Sequence, residues 1–191
     1  NDVYTGRGTE LIETGRTSLI IDPPDGQIPY LPGAKEKWQS EHPRVTDDMT
    51  DGPEDRGVAV RCIIGFNSGP PMLPIGYNNN MQLFQTLDYV VILNEMVHDA
   101  RVVPLDGRPH LSGGIRQWMG DSRGYWDGDT LVVETTNFTD KTASFNPSVM
   151  VAMGTGTNLR LIERFTRVDA ETLSYHYSVH DPKTFTSTIS A

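Results

Sequence analysis

Apolar and polar residues alternate along this chain in bursts of five to nine, separated by Gly, Pro, Asp and Asn. Period-two alternation rich in Val, Ile, Thr, Tyr and Phe is the signature of β-strands with one face buried. It predicts strands at residues 58–64, 81–86, 89–97, 100–104, 130–136, 159–166, 172–179 and 184–190. Near the end of the chain Leu173, Tyr175, Tyr177 and Val179 fall on one face, and Ser174, His176, Ser178 and His180 on the other. The first set belongs to a core and the second to water. Two hairpins are legible: Asp127-Gly128-Asp129 leads into residues 130–136, and residues 168–172 join the two strands on either side of them. Consecutive hairpins at this spacing predict an antiparallel meander closing into a barrel or a strongly curved sheet.

Residues 1–57 carry a different pattern. Apart from a short strand expected at residues 17–21, they read as an irregular N-terminal arm. Asp22-Pro23-Pro24-Asp25-Gly26 is a turn, because Pro fixes φ and Gly supplies positive φ. Residues 34–41 are good helix formers after a Pro-Gly pair, with Pro43 beyond them, so one short helix is expected there. A second is expected at residues 146–154, where Asn146 caps, Pro147 starts and Gly154 stops it. The β domain then spans residues 58–191. The acidic run of residues 47–55 lacks the ligand spacing of a calcium loop and reads as a solvated loop.

Composition narrows the picture. Gly and Pro supply 18 and 13 of 191 residues, an excess that fits many turns between short elements. The formal net charge of −9 argues against a nucleic-acid backbone as partner. No apolar run reaches the length of a membrane-spanning helix. The single Cys62, within an alternating apolar stretch, is expected to be a buried thiol.

Polar chemistry is densest between Glu95 and Glu134. His98 or His110 could act as a general base, oriented by Asp99, Asp121 or Glu134, since imidazole titrates near neutral pH and a carboxylate fixes its tautomer. Arg101, Arg116 and Arg123 could hold a substrate anion, with Trp118 and Trp126 at the pocket rim. The histidine spacing matches no metal motif, so no metal is expected; no phosphate-cradling Gly pattern precedes a helix, so no nucleotide cofactor is expected. The competing reading is architectural: Arg and Asp tie down Gly-rich loops, and Trp118 and Trp126 close the end of a barrel. Whether the chain is an enzyme stays open at this point.

Several segments resemble a large family of uncharacterised secreted proteins of Gram-negative bacteria. They are Arg16-Thr17-Ser18-Leu19-Ile20-Ile21-Asp22-Pro23-Pro24-Asp25-Gly26, then His98-Asp99-Ala100-Arg101 with Pro104-Leu105-Asp106-Gly107-Arg108-Pro109-His110, then Gly120-Asp121-Ser122-Arg123-Gly124 running to Asn137-Phe138, and Glu163-Arg164-Phe165-Thr166-Arg167. The resemblance implies a signal peptide, export to the periplasm or beyond, and a further tail containing Cys, His and Glu that could have paired with Cys62. It implies no particular activity. The β half also resembles a lipocalin-type barrel, which implies a small organic ligand, apolar or aromatic, bound in its mouth; the cluster of arginines would suit an anionic one. The reading is therefore an exported small-molecule-binding protein. It is either a lyase, isomerase or hydrolase using acid/base chemistry without a cofactor, or a non-catalytic extracellular subunit that self-associates through its arm.

Overall fold

The computed structural model describes residues 15–41, 52–53, 61–65, 67–139 and 156–191. Within them the chain is mainly β: α1 (Ala34–Glu41), then β1 (Met81–Gln85), β2 (Tyr89–Asn94), β3 (Ala100–Pro104), β4 (Asp121–Asp127), β5 (Thr130–Thr136), β6 (Arg160–Arg167), β7 (Leu173–His180) and β8 (Ile189–Ser190). The strands form two antiparallel meanders, a three-stranded sheet β1-β2-β3 and a five-stranded sheet β4-β5-β6-β7-β8. No pairing among the described residues closes either sheet into a barrel.

The smaller sheet lies over one face of the larger. Val90 and Ile92 of β2 and Val103 of β3 pack on Leu131, Val133 and Phe165 of β5 and β6, all of them buried. At Gly124 the backbones come so close that a methyl group there would stand 2.8 Å from the side chains of both Val103 and Leu105. Farther along the large sheet, Phe138, Leu159, Leu161, Tyr177, Val179, Phe185 and Ile189 form a second cluster, covered by Ile20, Ile28 and Tyr30. The described part of the arm thus docks on its own chain. Ile21 and Asp22 donate to Ser190 O, and Leu31 donates to Thr184 O.

Turn chemistry fixes the registers. Gly128 has φ +60 at the first position of the two-residue turn between Asp127 and Thr130, which matches the twist of a tight hairpin. In the β6–β7 turn the Asp169 carboxylate accepts from the backbone N–H of Glu171 and Thr172, at 2.8 and 2.7 Å.

Several sequence expectations change in detail. Residues 61–64 form a turn instead of continuing a strand; Cys62 there has φ +54 and is exposed, so it is not a buried thiol. The strand expected over 89–97 stops at Asn94, because Met96–His98 make a 3-10 turn with Val97 and His98 at positive φ. Residues 17–21 form no strand, only an edge bridge at Asp22. Most of residues 184–190 is a turn built on Asp181, whose carboxylate accepts from Lys183 N and Thr184 Oγ1, leaving two strand residues. β4 was not legible as a strand: Asp-Ser-Arg-Gly has poor strand propensity, and pairing with β5 imposes the conformation. The helix expected at 146–154 and residues 58–60 of the first expected strand lie outside the described residues.

Candidate functional site

The outer face of the five-stranded sheet is largely polar, with Val132 and Ile162 the apolar members beside Glu134. Its pairing register sets Arg123 directly opposite Glu134, and both lie on this face beside Asp121. The loop after β3 carries His110 to the same corner. There His110 Nδ1 and Asp121 Oδ2 are 2.9 Å apart, and the same oxygen accepts from Leu111 N–H at 2.9 Å. The other oxygen, Oδ1, accepts from Arg123 at 2.6 Å. Arg123 also donates to the backbone oxygens of Pro109 and Ser122, so this one guanidinium ties the loop to the strand.

The asymmetry of exposure matters. The Asp121 side chain is 6% exposed and that of His110 27%. A buried carboxylate thus grips one ring nitrogen of a histidine whose other nitrogen, Nε2, has no hydrogen-bond partner among the described residues. Burial pushes the Asp121 carboxyl up, but the Leu111 N–H, His110 and Arg123 together outweigh it and hold the group below its usual range. Next to it, Glu134 is gripped by Arg160 through two hydrogen bonds of 2.7 and 3.1 Å. Arg160 is the main cause holding Glu134 below its usual range, and His110 adds to the effect.

Of the residues singled out from sequence, the structure therefore brings together His110, Asp121, Arg123 and Glu134. Arg101, Arg116 and Trp118 line one cleft together with Asp121, whereas His98, Asp99 and Trp126 lie elsewhere. His98 is exposed in the 3-10 turn between β2 and β3. Asp99 is buried and accepts from Gly65 N–H at 2.9 Å and Ser68 Oγ at 2.5 Å, so it holds a loop and not a histidine. Arg101 points between the sheets and pairs in bidentate fashion with Glu163, which is fully buried. Arg116 donates to Phe138 O and Thr157 O. Of the arginines expected to hold an anion, Arg101 and Arg123 are paired with carboxylates, whereas Arg116 donates only to backbone oxygens among the described residues and keeps its charge at the cleft. Trp126 is half exposed at the end of β4, and Trp118 lines a cleft of about 530 Å³ between β3 and residues 116–122, of which Asp121 forms part.

Three polar partners of these residues were not singled out by sequence reasoning. Arg160 shows no distinguishing pattern. Glu163 does, because Leu161, Glu163 and Phe165 share one strand face and an acid there interrupts an apolar series. Tyr175 donates to Glu163 at 2.8 Å and accepts from Met72 N–H at 3.0 Å. Burial and the nearby Glu163 charge push its hydroxyl well above the usual phenol range.

No group of three or more His, Cys, Asp or Glu among the described residues is placed to hold a metal ion. No helix among the described residues is long and apolar enough to cross a membrane. No family model, curated protein or solved structure matches the chain.

Proposed function

We propose that this chain is an exported bacterial protein that binds a small organic molecule on the outer face of its larger sheet, with His110 as a general base. The carrying observation is the 2.9 Å contact of His110 Nδ1 with the buried Asp121 carboxylate. A carboxylate on Nδ1 selects the tautomer with its proton on that atom and leaves the Nε2 lone pair without a hydrogen-bond partner among the described residues. An ionised Asp121 also stabilises the imidazolium that forms once a proton is taken, while Arg123 holds the carboxylate in place. The reaction class that fits is proton abstraction or water activation on a small substrate, as in a lyase, isomerase or hydrolase. Export rests on the resemblance in the sequence segments.

The test is turnover of a panel of small esters, lactones and hydroxy acids followed by NMR, comparing wild type with His110→Asn and Asp121→Asn. His110→Asn is expected to lower the rate on any turned-over compound by about 10²–10⁴-fold, the typical worth of a general base. Asp121→Asn is expected to lower it less while shifting the pH profile. Equal rates in wild type and His110→Asn, or no turnover across the panel, would count against the reading.

A further inference from the structure

The cleft lined by Trp118, Arg116 and Asp121 has a second property. One of its walls is the free edge of a sheet. Among the described residues β3 pairs only with β2, and the register is set by two flanking hydrogen bonds, Asn94 N to Asp99 O and Leu105 N to Asp88 O, both 2.8 Å. In an antiparallel ladder hydrogen-bonded and open pairs alternate. Asp99, Arg101, Val103 and Leu105 thus turn their backbone groups towards β2, and Ala100 and Val102 turn theirs away from it. Neither Ala100 nor Val102 has a backbone hydrogen-bond partner among the described residues. Both line the cleft, and Ile63, Trp118 and Met119 contribute apolar surface to it.

Exposed strand edges are normally blunted by charge, Pro or a covering element, because they recruit another strand. This one faces a cleft whose opposite wall holds the Trp118 ring and Met119 beside the polar Arg116, Gln117 and Asp121. The neighbouring outer face of the small sheet is apolar too: Phe84 and Val102, both paired to Val91, are 45% and 55% exposed.

We propose that the cleft is a docking groove for an extended peptide, which adds to β3 as a fourth antiparallel strand. Two peptide residues, two positions apart, exchange four main-chain hydrogen bonds with Ala100 and Val102. The residue between them lies opposite Arg101 and turns its side chain inward, towards Trp118 and Met119, so an apolar or aromatic residue is selected there. Its two neighbours extend the apolar face at Val102. Main-chain pairing supplies affinity, and the inward side chain supplies selectivity.

The probe is a displayed random heptapeptide library panned on the whole protein, followed by synthesis of the most enriched peptide. Enriched sequences are expected to share an apolar residue flanked by strand formers. On binding, the amides of Ala100 and Val102 are expected to become protected from hydrogen exchange, whereas that of Arg101 is protected already. Val102→Pro removes an outward N–H that the β2 ladder does not use, and is expected to weaken binding about tenfold or more. His176→Ala, on the exposed face of β7 away from the cleft, is expected to leave binding unchanged. Should Val102→Pro fail to fold, N-methylation of the peptide backbone and Trp118→Ala test the same contacts. The proposal is overturned if no peptide is enriched, if binding survives N-methylation, or if the protected amides lie elsewhere. It is also overturned if the protein alone sediments as a dimer with Ala100 and Val102 already protected, since a second copy would then occupy the edge.

Discussion

Gly124 shows how much one side chain can decide. Val103 has no exposed surface and cannot move aside, and a methyl group at position 124 would stand 2.8 Å from it. Gly124→Ala is therefore expected to destabilise by about 1–2 kcal/mol through overpacking. For a chain of this size that lowers Tm by roughly 2–8 °C in a calorimetric melt. An unchanged Tm would mean that the two sheets can part at this point without cost. Asp99 and Asp121 make a parallel case. In sequence both are aspartates one or more residues from a histidine, but one caps a buried loop through Ser68 and Gly65, and the other orients His110. Nothing local distinguishes them, because what differs is the element that each one faces.

At the scale of elements, the contact between the two sheets has an ionic centre. Arg101 of β3 meets Glu163 of β6, and Tyr175 of β7 carries the network on to the backbone at Met72. Burial alone works against the Arg101 charge, and the Glu163 carboxylate more than offsets it, so the guanidinium is held above its usual range. Glu163→Ala strands a buried cation and is expected to cost about 3–5 kcal/mol in urea unfolding. Replacing both partners, Arg101→Met with Glu163→Leu, is expected to recover most of that loss, because apolar side chains of similar volume satisfy the same space. A loss under 1 kcal/mol for Glu163→Ala alone would show that water or another group compensates the arginine. The strands that make these contacts were largely legible: alternation located β1, β3, β5, β6 and β7 to within a residue or two. β4 was not, since its polar sequence becomes a strand only through its register with β5.

For the whole molecule, the arrangement of carboxylates predicts acid sensitivity. Asp121 and Glu134 are held below their usual range by their partners, and Asp106 is lowered to about 2 by Arg108. A depressed folded-state pKa contributes stability above the unfolded value, near 4 for these groups, and that contribution is lost as pH falls through the folded value. Tm is therefore expected to hold steady down to about pH 5 and to fall between roughly pH 4 and pH 2. In Asp121→Asn with Glu134→Gln the slope of that acid limb is expected to be shallower. A steeper limb in the variant would contradict the assignment.

The sequence by itself determined the strand pattern, the hairpin turns at Gly128 and Asp169, the short helix at Ala34–Glu41 and the segment in which the polar chemistry gathers. These are local properties, set by side-chain period and turn geometry within a few residues. Tertiary structure alone decided that the sheets remain two open layers and that Arg101 faces a buried acid instead of a ligand. It also decided that His110 meets Asp121 and not Asp99, and that no described strand pairs with the outer edge of β3 beside Trp118. Each of these depends on which distant backbone lies opposite. Pairing of that kind is a non-local choice made by burial and register, and the period of a single strand does not encode it.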